Sequence, residues 1–213
     1  MIEIMDLTTP LSALTPTLDA HVLTVLARSR AKLTGRQIHL LSKTGSLAGI
    51  QLTLTRLERT GLLRAEPAGR AIMFSLNREH LLASPILAMA AARTELTRRL
   101  QDRISSWQIP CRHASIFGSV ARGESGPDSD IDVLLVRDDA VDAGDATWTD
   151  QLSTLEQNVA AWTGNALAWF ETSPEGLRLA VINDEPVVQS WRDDGIALAG
   201  ESLASLLSGW ERA

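Results

Sequence analysis

Apolar residues recur along this chain with two different periods, and the changes of period divide it. Leu18, Val22, Leu23, Val25 and Leu26 share one helical face that runs to about Ser29. A second helix is predicted to open at Thr34-Gly35-Arg36-Gln37, where Thr34 and Gln37 can form a capping box ahead of Ile38, Leu40 and Leu41. Lys43-Thr44-Gly45 supplies a turn. A third helix from about Ser46 buries Ile50, Leu54 and Leu57, and Gly61 stands where a left-handed cap would end it. The period then becomes two. Leu63 to Leu76 reads as a pair of short strands around Glu66-Pro67-Ala68-Gly69, with Ile72, Phe74 and Leu76 inward and Arg64 and Arg70 near the tip. Ser84-Pro85 suits the start of a long helix to about Ser106, striped by Ile86, Met89, Leu96, Leu100 and Ile104 and interrupted by Arg93.

In the rear half a short strand around Ala114 to Phe117 runs into Gly118-Ser119, and Gly123, Gly126 and Pro127 form a turn. Asp130 and Asp132 then open an apolar strand, Ile131 and Val133 to Val136, whose alternation aims both acids at one sheet face. Trp148, Leu152, Leu155, Val159 and Trp162 stripe a helix, Gly164-Asn165 turns the chain, and Ala166 to Phe170 forms a further strand with Glu171 at its end. From Ser173 two short helices are separated near Asn183 to Pro186. A brief apolar segment, Ile196 to Leu198, leads to a terminal helix carrying Leu203, Leu206, Leu207 and Trp210. The predicted class is α+β, divided into a loose arm over 1–16, a helical and hairpin module over 17–82, a linking helix over 83–107 and a mixed-sheet domain over 108–213.

Charge sharpens the division. Residues 1–109 hold fourteen Lys/Arg against eight Asp/Glu, whereas 110–213 hold six against eighteen. A basic front suits a polyanion, and an acidic rear suits metal chemistry. Cys111 is the single cysteine, which excludes an intrachain disulfide and fits a reducing cytoplasm. No apolar run reaches membrane-spanning length, and the acids and prolines of the first twenty residues do not make a signal peptide. His21, His39, His80 and His113 lack ligand spacing and read as packing or surface groups. The six tryptophans, without a tyrosine, fall at helical spacing and read as core.

Three helices followed by a hairpin make a winged helix-turn-helix. The phrase QLTLTRLERTGLLRAEPAGRAIMFSLN resembles the winged-helix regulators of the ArsR and MarR type over roughly residues 17 to 80. The resemblance implies a third helix in the major groove of double-stranded DNA, with Gln51 and Thr55 toward base edges and Arg56, Arg59 and Arg70 toward phosphates. The linking helix would pair with its copy in a homodimer, or lie on its own domain.

Two carboxylates side by side repel, and a hard divalent cation such as Mg2+ or Mn2+ offsets that repulsion through oxygen ligands. Gly118 lets backbone N–H groups approach a phosphate, Ser119 adds a donor, and the Arg122 fork can bind phosphate oxygens bidentately. Gly-Ser, ten residues, then Asp-x-Asp, with the Ala-Arg-Gly continuation and a preceding Ser129, resembles the nucleotidyltransferase superfamily of DNA polymerase beta, the aminoglycoside nucleotidyltransferases and the minimal nucleotidyltransferases of toxin-antitoxin pairs. The late phrase WRDDGIALAG resembles the tails of similar two-part proteins. The resemblance implies transfer of a nucleoside monophosphate from a nucleoside triphosphate, with Gly118, Ser119, Arg122 and Ser129 at the nucleotide and Asp130 and Asp132 on the metal.

Active members usually carry a third carboxylate on a later strand, and here only Glu171 is available. Alternation places Glu171 with Trp169 and Leu167, so a catalytic role and a surface role both stay open. Two functions follow. One is a DNA-binding, metal-dependent nucleotidyltransferase with an unnamed acceptor. The other is a transcriptional regulator, antitoxin-like, that binds nucleotide or a protein partner from an adjacent gene without turnover.

Overall fold

The computed structural model describes residues 5–126 and 128–208. The positions assigned above to Pro127 and Trp210 lie outside the described residues. The chain forms two compact units, Thr9–Ala92 and a second comprising Met1–Thr8 with Arg93–Ala213. Each is a mixture of helices and one sheet.

In the Thr9–Ala92 unit, a 3-10 turn at Pro10–Ala13 precedes α1 (Leu18–Arg28), β1 (Leu33–Thr34), α2 (Gly35–Ser42), α3 (Leu47–Arg59), β2 (Leu63–Ala68), β3 (Ala71–Leu76) and α4 (Ala83–Ala90). The expected capping box is present. Thr34 Oγ1 accepts from Gln37 N–H at 3.3 Å, and Gln37 Oε1 accepts from Thr34 N–H at 2.8 Å. Ser46 caps α3 by accepting from Gly49 N–H at 3.1 Å. The hairpin β2–β3 is antiparallel, with Ala65 opposite Phe74, and β1 joins its other side to give the order β1-β3-β2. Val22, Leu26, Ile38, Ile50, Leu54 and Phe74 are buried together. Ile72, expected to point inward, is 53% exposed because it lies near the hairpin tip, beyond the reach of the helices.

Two boundaries differ from expectation. The segment 1–16 is not loose throughout its described part, since Leu7 is fully buried in the core of the second unit and Leu11 in that of the first. An apolar residue between polar ones gave no periodic signal in so short a stretch. The single linking helix is two helices, α4 and α5 (Ala92–Ser105), interrupted at Ala91. Its stripe divides accordingly: Ile86 belongs to the first core, while Leu96, Leu100 and Ile104 belong to the second.

The second unit continues with β4 (His113–Phe117), α6 (Gly118–Arg122), β5 (Ile131–Val136), α7 (Ala146–Thr163), β6 (Leu167–Thr172), α8 (Pro174–Ile182), α9 (Pro186–Asp194), β7 (Ile196–Gly200) and α10 (Leu203–Ser208). The sheet order is β6-β5-β4-β7, with β5 and β6 parallel and the other pairs antiparallel. Ile196 to Leu198, read only as an apolar segment, is thus part of an edge strand. Both sheet faces are covered. Ile131, Val133 and Leu135 pack with Leu100, Trp148 and Leu155 on one face; Phe117, Leu134 and Val136 pack with Leu177, Trp191 and Leu206 on the other. Burial on both faces explains why β5 reads as a continuous apolar run.

Candidate functional site

The strands β4 and β5 bring the Gly-Ser turn to the Asp-x-Asp segment. Phe117 lies opposite Asp132 in the antiparallel register, so Gly118 follows at the strand end nearest the acids. Gly118 has φ +71°. A Cβ there would overlap Asp132 Oδ2 and stand 3.2 Å from its Cγ, so glycine is required twice, for backbone conformation and for the space that the carboxylate occupies. Ser119 is half-buried in the first turn of α6.

Asp130 is exposed just before β5, and Asp132 is half-buried on it. Burial first and Asp130 second push the Asp132 carboxyl above its ordinary range, while Arg122 pulls it down. Anionic repulsion in a partly dry position is what a divalent cation relieves. Asp130 and Asp132 are of the chemistry that could supply two oxygen ligands to Mg2+ or Mn2+. Among the described residues no group of three or more acids, histidines or cysteines completes a metal site.

Glu171 does not join them. In the parallel register Asp132 lies opposite Ala168, and Glu171 lies opposite Leu135, on the other sheet face. Its carboxylate is 2.7 Å from Arg137 Nε, with both side chains about one-fifth exposed. That pair is an ionic brace for the edge of the sheet. The position beside Asp132 on the next strand belongs to Ala168.

Arg122 and Ser129 are placed near the acids but already engaged. Arg122 Nε donates to Glu124 at 3.0 Å and Nη1 to Asp194 at 2.5 Å, and these carboxylates raise its pKa. Ser129 Oγ accepts from Gly126 N–H at 2.9 Å, which braces the loop before β5.

Four supporting residues were assigned no part in the site from the sequence. Asn165 is 1% exposed, and its Nδ2 donates to Ser129 O at 3.0 Å and Met5 O at 3.2 Å, tying the loop to the N-terminal segment. Arg93, which interrupts an apolar stripe, donates to Val120 O at 3.2 Å and Ala121 O at 3.3 Å at the end of α6. Asp194 and Ser190 lie on α9, where the Ser190 hydroxyl donates to Asp194 at 2.8 Å and, with Arg122, holds its carboxyl below the usual range. The break in the stripe was a visible signal for Arg93; nothing local marks the other three.

In the first unit Gln51, Thr55, Arg56 and Arg59 are all exposed on α3, and Arg70 is exposed at the β2–β3 tip. Arg56 is ion-paired with Asp19 of α1. Thr55 Oγ1 donates back to Gln51 O at 3.0 Å. No helix among the described residues is long and apolar enough to cross a membrane.

The family model described as "Nucleotidyltransferase domain" matches residues 106–172. This segment is similar to a nucleotidyltransferase domain. It runs from the residue after α5 to the end of β6 and so includes Gly118, Ser119, Asp130 and Asp132. A crystal structure from Sulfolobus solfataricus, provisionally named a nucleotidyltransferase, is 17% identical and covers 53% of this chain and 94% of its own, with a TM-score of 0.28, too low to support any inference. No curated protein matches the chain.

Proposed function

We propose that the second unit is a metal-dependent nucleotidyltransferase that moves a nucleoside monophosphate from a nucleoside triphosphate to an acceptor. The observation that carries this reading is the seat of the Asp132 carboxylate against Gly118, within the segment matched by the nucleotidyltransferase domain. Asp130 and Asp132 would hold Mg2+ or Mn2+, which supplies charge neutralisation at the transferring phosphoryl group. Gly118 and Ser119 would meet phosphate oxygens, and Arg122 would do so by exchanging one of its carboxylate partners. The first unit, on the same proposal, is a winged helix that binds double-stranded DNA through α3 and the β2–β3 tip.

The test is label transfer from each nucleoside triphosphate, with Mg2+ or Mn2+ and cell extract, comparing the native chain with Asp130→Asn/Asp132→Asn. Transfer lost in the double variant supports the reading. Transfer absent from both, or equal in both, removes the catalytic proposal.

One observation favours a second reading. Ala168 stands opposite Asp132 where a third acid would complete the set. A domain with two carboxylates can bind nucleotide and metal without turnover, and would then serve as a regulator, antitoxin-like, with a protein partner from an adjacent gene. Triphosphate binding without transfer in the same assay identifies that case.

A further inference from the structure

Asp130 is exposed just before β5, so its carboxylate is aimed by the backbone on either side of it. Both flanks are held by the two residues that precede β6. Ser129 O accepts from Asn165 Nδ2 at 3.0 Å, and Ile131 N–H donates to Ala166 O at 2.9 Å. Asn165 is itself fixed. Its backbone N–H donates to Thr163 Oγ1 at 3.0 Å, and the second proton of Nδ2 goes to Met5 O at 3.2 Å. The two carbonyls can only accept, so the amide nitrogen faces them and spends both its protons. Among the described residues Asn165 Oδ1 has no hydrogen-bond partner, so donation is what this buried side chain contributes.

The segment that carries Met5 meets the same loop a second time. Thr8 Oγ1 is 3.1 Å from the hydroxyl of buried Ser125, and between the two contacts Leu7 is sunk in the core with Ile131 and Val133 of β5. Inside the loop Gly126 N–H donates to Ser129 Oγ at 2.9 Å and Ser129 N–H to Gly126 O at 3.2 Å, so the two anchored serines are joined. Met5 and Thr8 lie outside the matched residues 106–172. We infer that Asn165 is a positioning residue for Asp130, and that Met5–Thr8 forms with it a clamp that holds this acid beside Asp132. The inference rests on the proposed metal site. Mg2+ demands near-ideal octahedral geometry, and an exposed acid left free to swing would have to be ordered at each binding event. The clamp does that ordering in advance.

Asn165→Leu keeps the volume and removes both donors, and Thr8→Val removes one hydroxyl at nearly unchanged shape. In the metal-free full chain, NMR hydrogen exchange at the Gly126, Ser129 and Ile131 amides should rise about tenfold in Asn165→Leu and about threefold in Thr8→Val, beyond any rise at Leu135, which reports global unfolding. Mn2+ is then titrated calorimetrically into each variant, with circular dichroism confirming its fold. Asp130→Asn should bind roughly tenfold more weakly than native, and Asn165→Leu about threefold to tenfold more weakly. The double variant Asn165→Leu/Asp130→Asn should match Asp130→Asn within about twofold, because Asn165 acts only through that carboxylate. A part in stability alone would lower the unfolding midpoint and leave Mn2+ affinity native. Unchanged affinity in Asn165→Leu, or additive losses in the double variant, overturns the assignment; should Asn165→Leu not fold, Thr8→Val and its double with Asp130→Asn decide by the same comparison. Native exchange and affinity in Thr8→Val remove Met5–Thr8 from the clamp. A native chain that binds no Mn2+ removes the metal site and the role of Asn165 toward it, whereas Mn2+ binding that is native in both variants removes the clamp and leaves the metal site standing.

Discussion

The Asp132 carboxylate rests against the Cα of Gly118, in space that any side chain at 118 would take. Gly118→Ala is expected to destabilise the fold by about 1–3 kcal/mol, from the left-handed backbone conformation and the displaced acid. Denaturant unfolding should show the loss. Calorimetric titration with Mn2+ and triphosphate should show weaker binding, whereas Gly69→Ala at the exposed hairpin tip, where a Cβ meets nothing within 4 Å, should leave that binding unchanged.

The Asp132 carboxyl, raised by burial and by Asp130, implies a pH dependence of definite sign. A carboxyl whose folded pKa exceeds its unfolded value opposes folding when ionised. Its contribution is most favourable below the ordinary value of 3.8 and is lost as pH rises through the folded value. Asp132→Asn without metal should therefore be more stable than the native chain at pH 7, and the difference should close as pH falls toward 4. Added Mg2+ or Mn2+ should stabilise the native chain and not the variant, by the mass-action law for a ligand of the folded state. Melting temperatures across pH, with and without metal, give both comparisons.

Because Glu171 braces Arg137 on the far sheet face, Glu171→Gln should cost about 2–3 kcal/mol of stability, as expected for a largely buried ion pair losing one partner. Metal and triphosphate affinity should stay within about twofold of native, since the substitution leaves both Asp130 and Asp132 in place. Loss of binding at full stability would instead place Glu171 at the acids.

Ala168→Asp makes the converse test. Residue 168 is opposite Asp132 in the parallel register, so its side chain shares that face. A third carboxylate there should destabilise the metal-free chain and raise Mn2+ affinity by roughly tenfold or more, taking as a guide the worth of an interaction with a charged group, about 1.5–3 kcal/mol. Calorimetric titration measures the affinity, and a variant no tighter than native would show that 168 does not face the cation.

Much of this arrangement was legible because its causes are local. The Thr34–Gln37 box, the α3 stripe and the Gly-Ser to Asp-x-Asp spacing each depend on residues a few positions apart. Alternation alone already set Glu171 with Trp169 and Leu167. The remainder depends on pairings distant in sequence. Which of Ala168 and Glu171 meets Asp132 is a matter of β5–β6 register; the Arg122–Asp194 pair joins positions 72 residues apart, and Asn165 reaches Met5 across 160. His113 read as an isolated histidine because its partner Glu201 is 88 residues away and contributes only a backbone carbonyl.

For the first unit, the structure separates arginines that the sequence treats alike. Arg56 is held by Asp19, whereas Arg59 and Arg70 are exposed at the end of α3 and at the hairpin tip. If α3 and the tip lie on DNA, Arg59→Ala and Arg70→Ala should each weaken binding to all duplexes and reduce the slope of log affinity against log salt by about one. Arg56→Ala should do less, because part of its charge is already answered by Asp19, and Asp19→Asn should strengthen binding by releasing it. Gln51→Ala should act differently, reducing preference for the chain's own promoter region over random duplex with little change in salt slope. Titrations of both duplexes at several salt concentrations decide the matter: equal affinity for every variant would remove DNA from the account of this unit, and a uniform loss in Gln51→Ala would assign that residue to the backbone and not to a base.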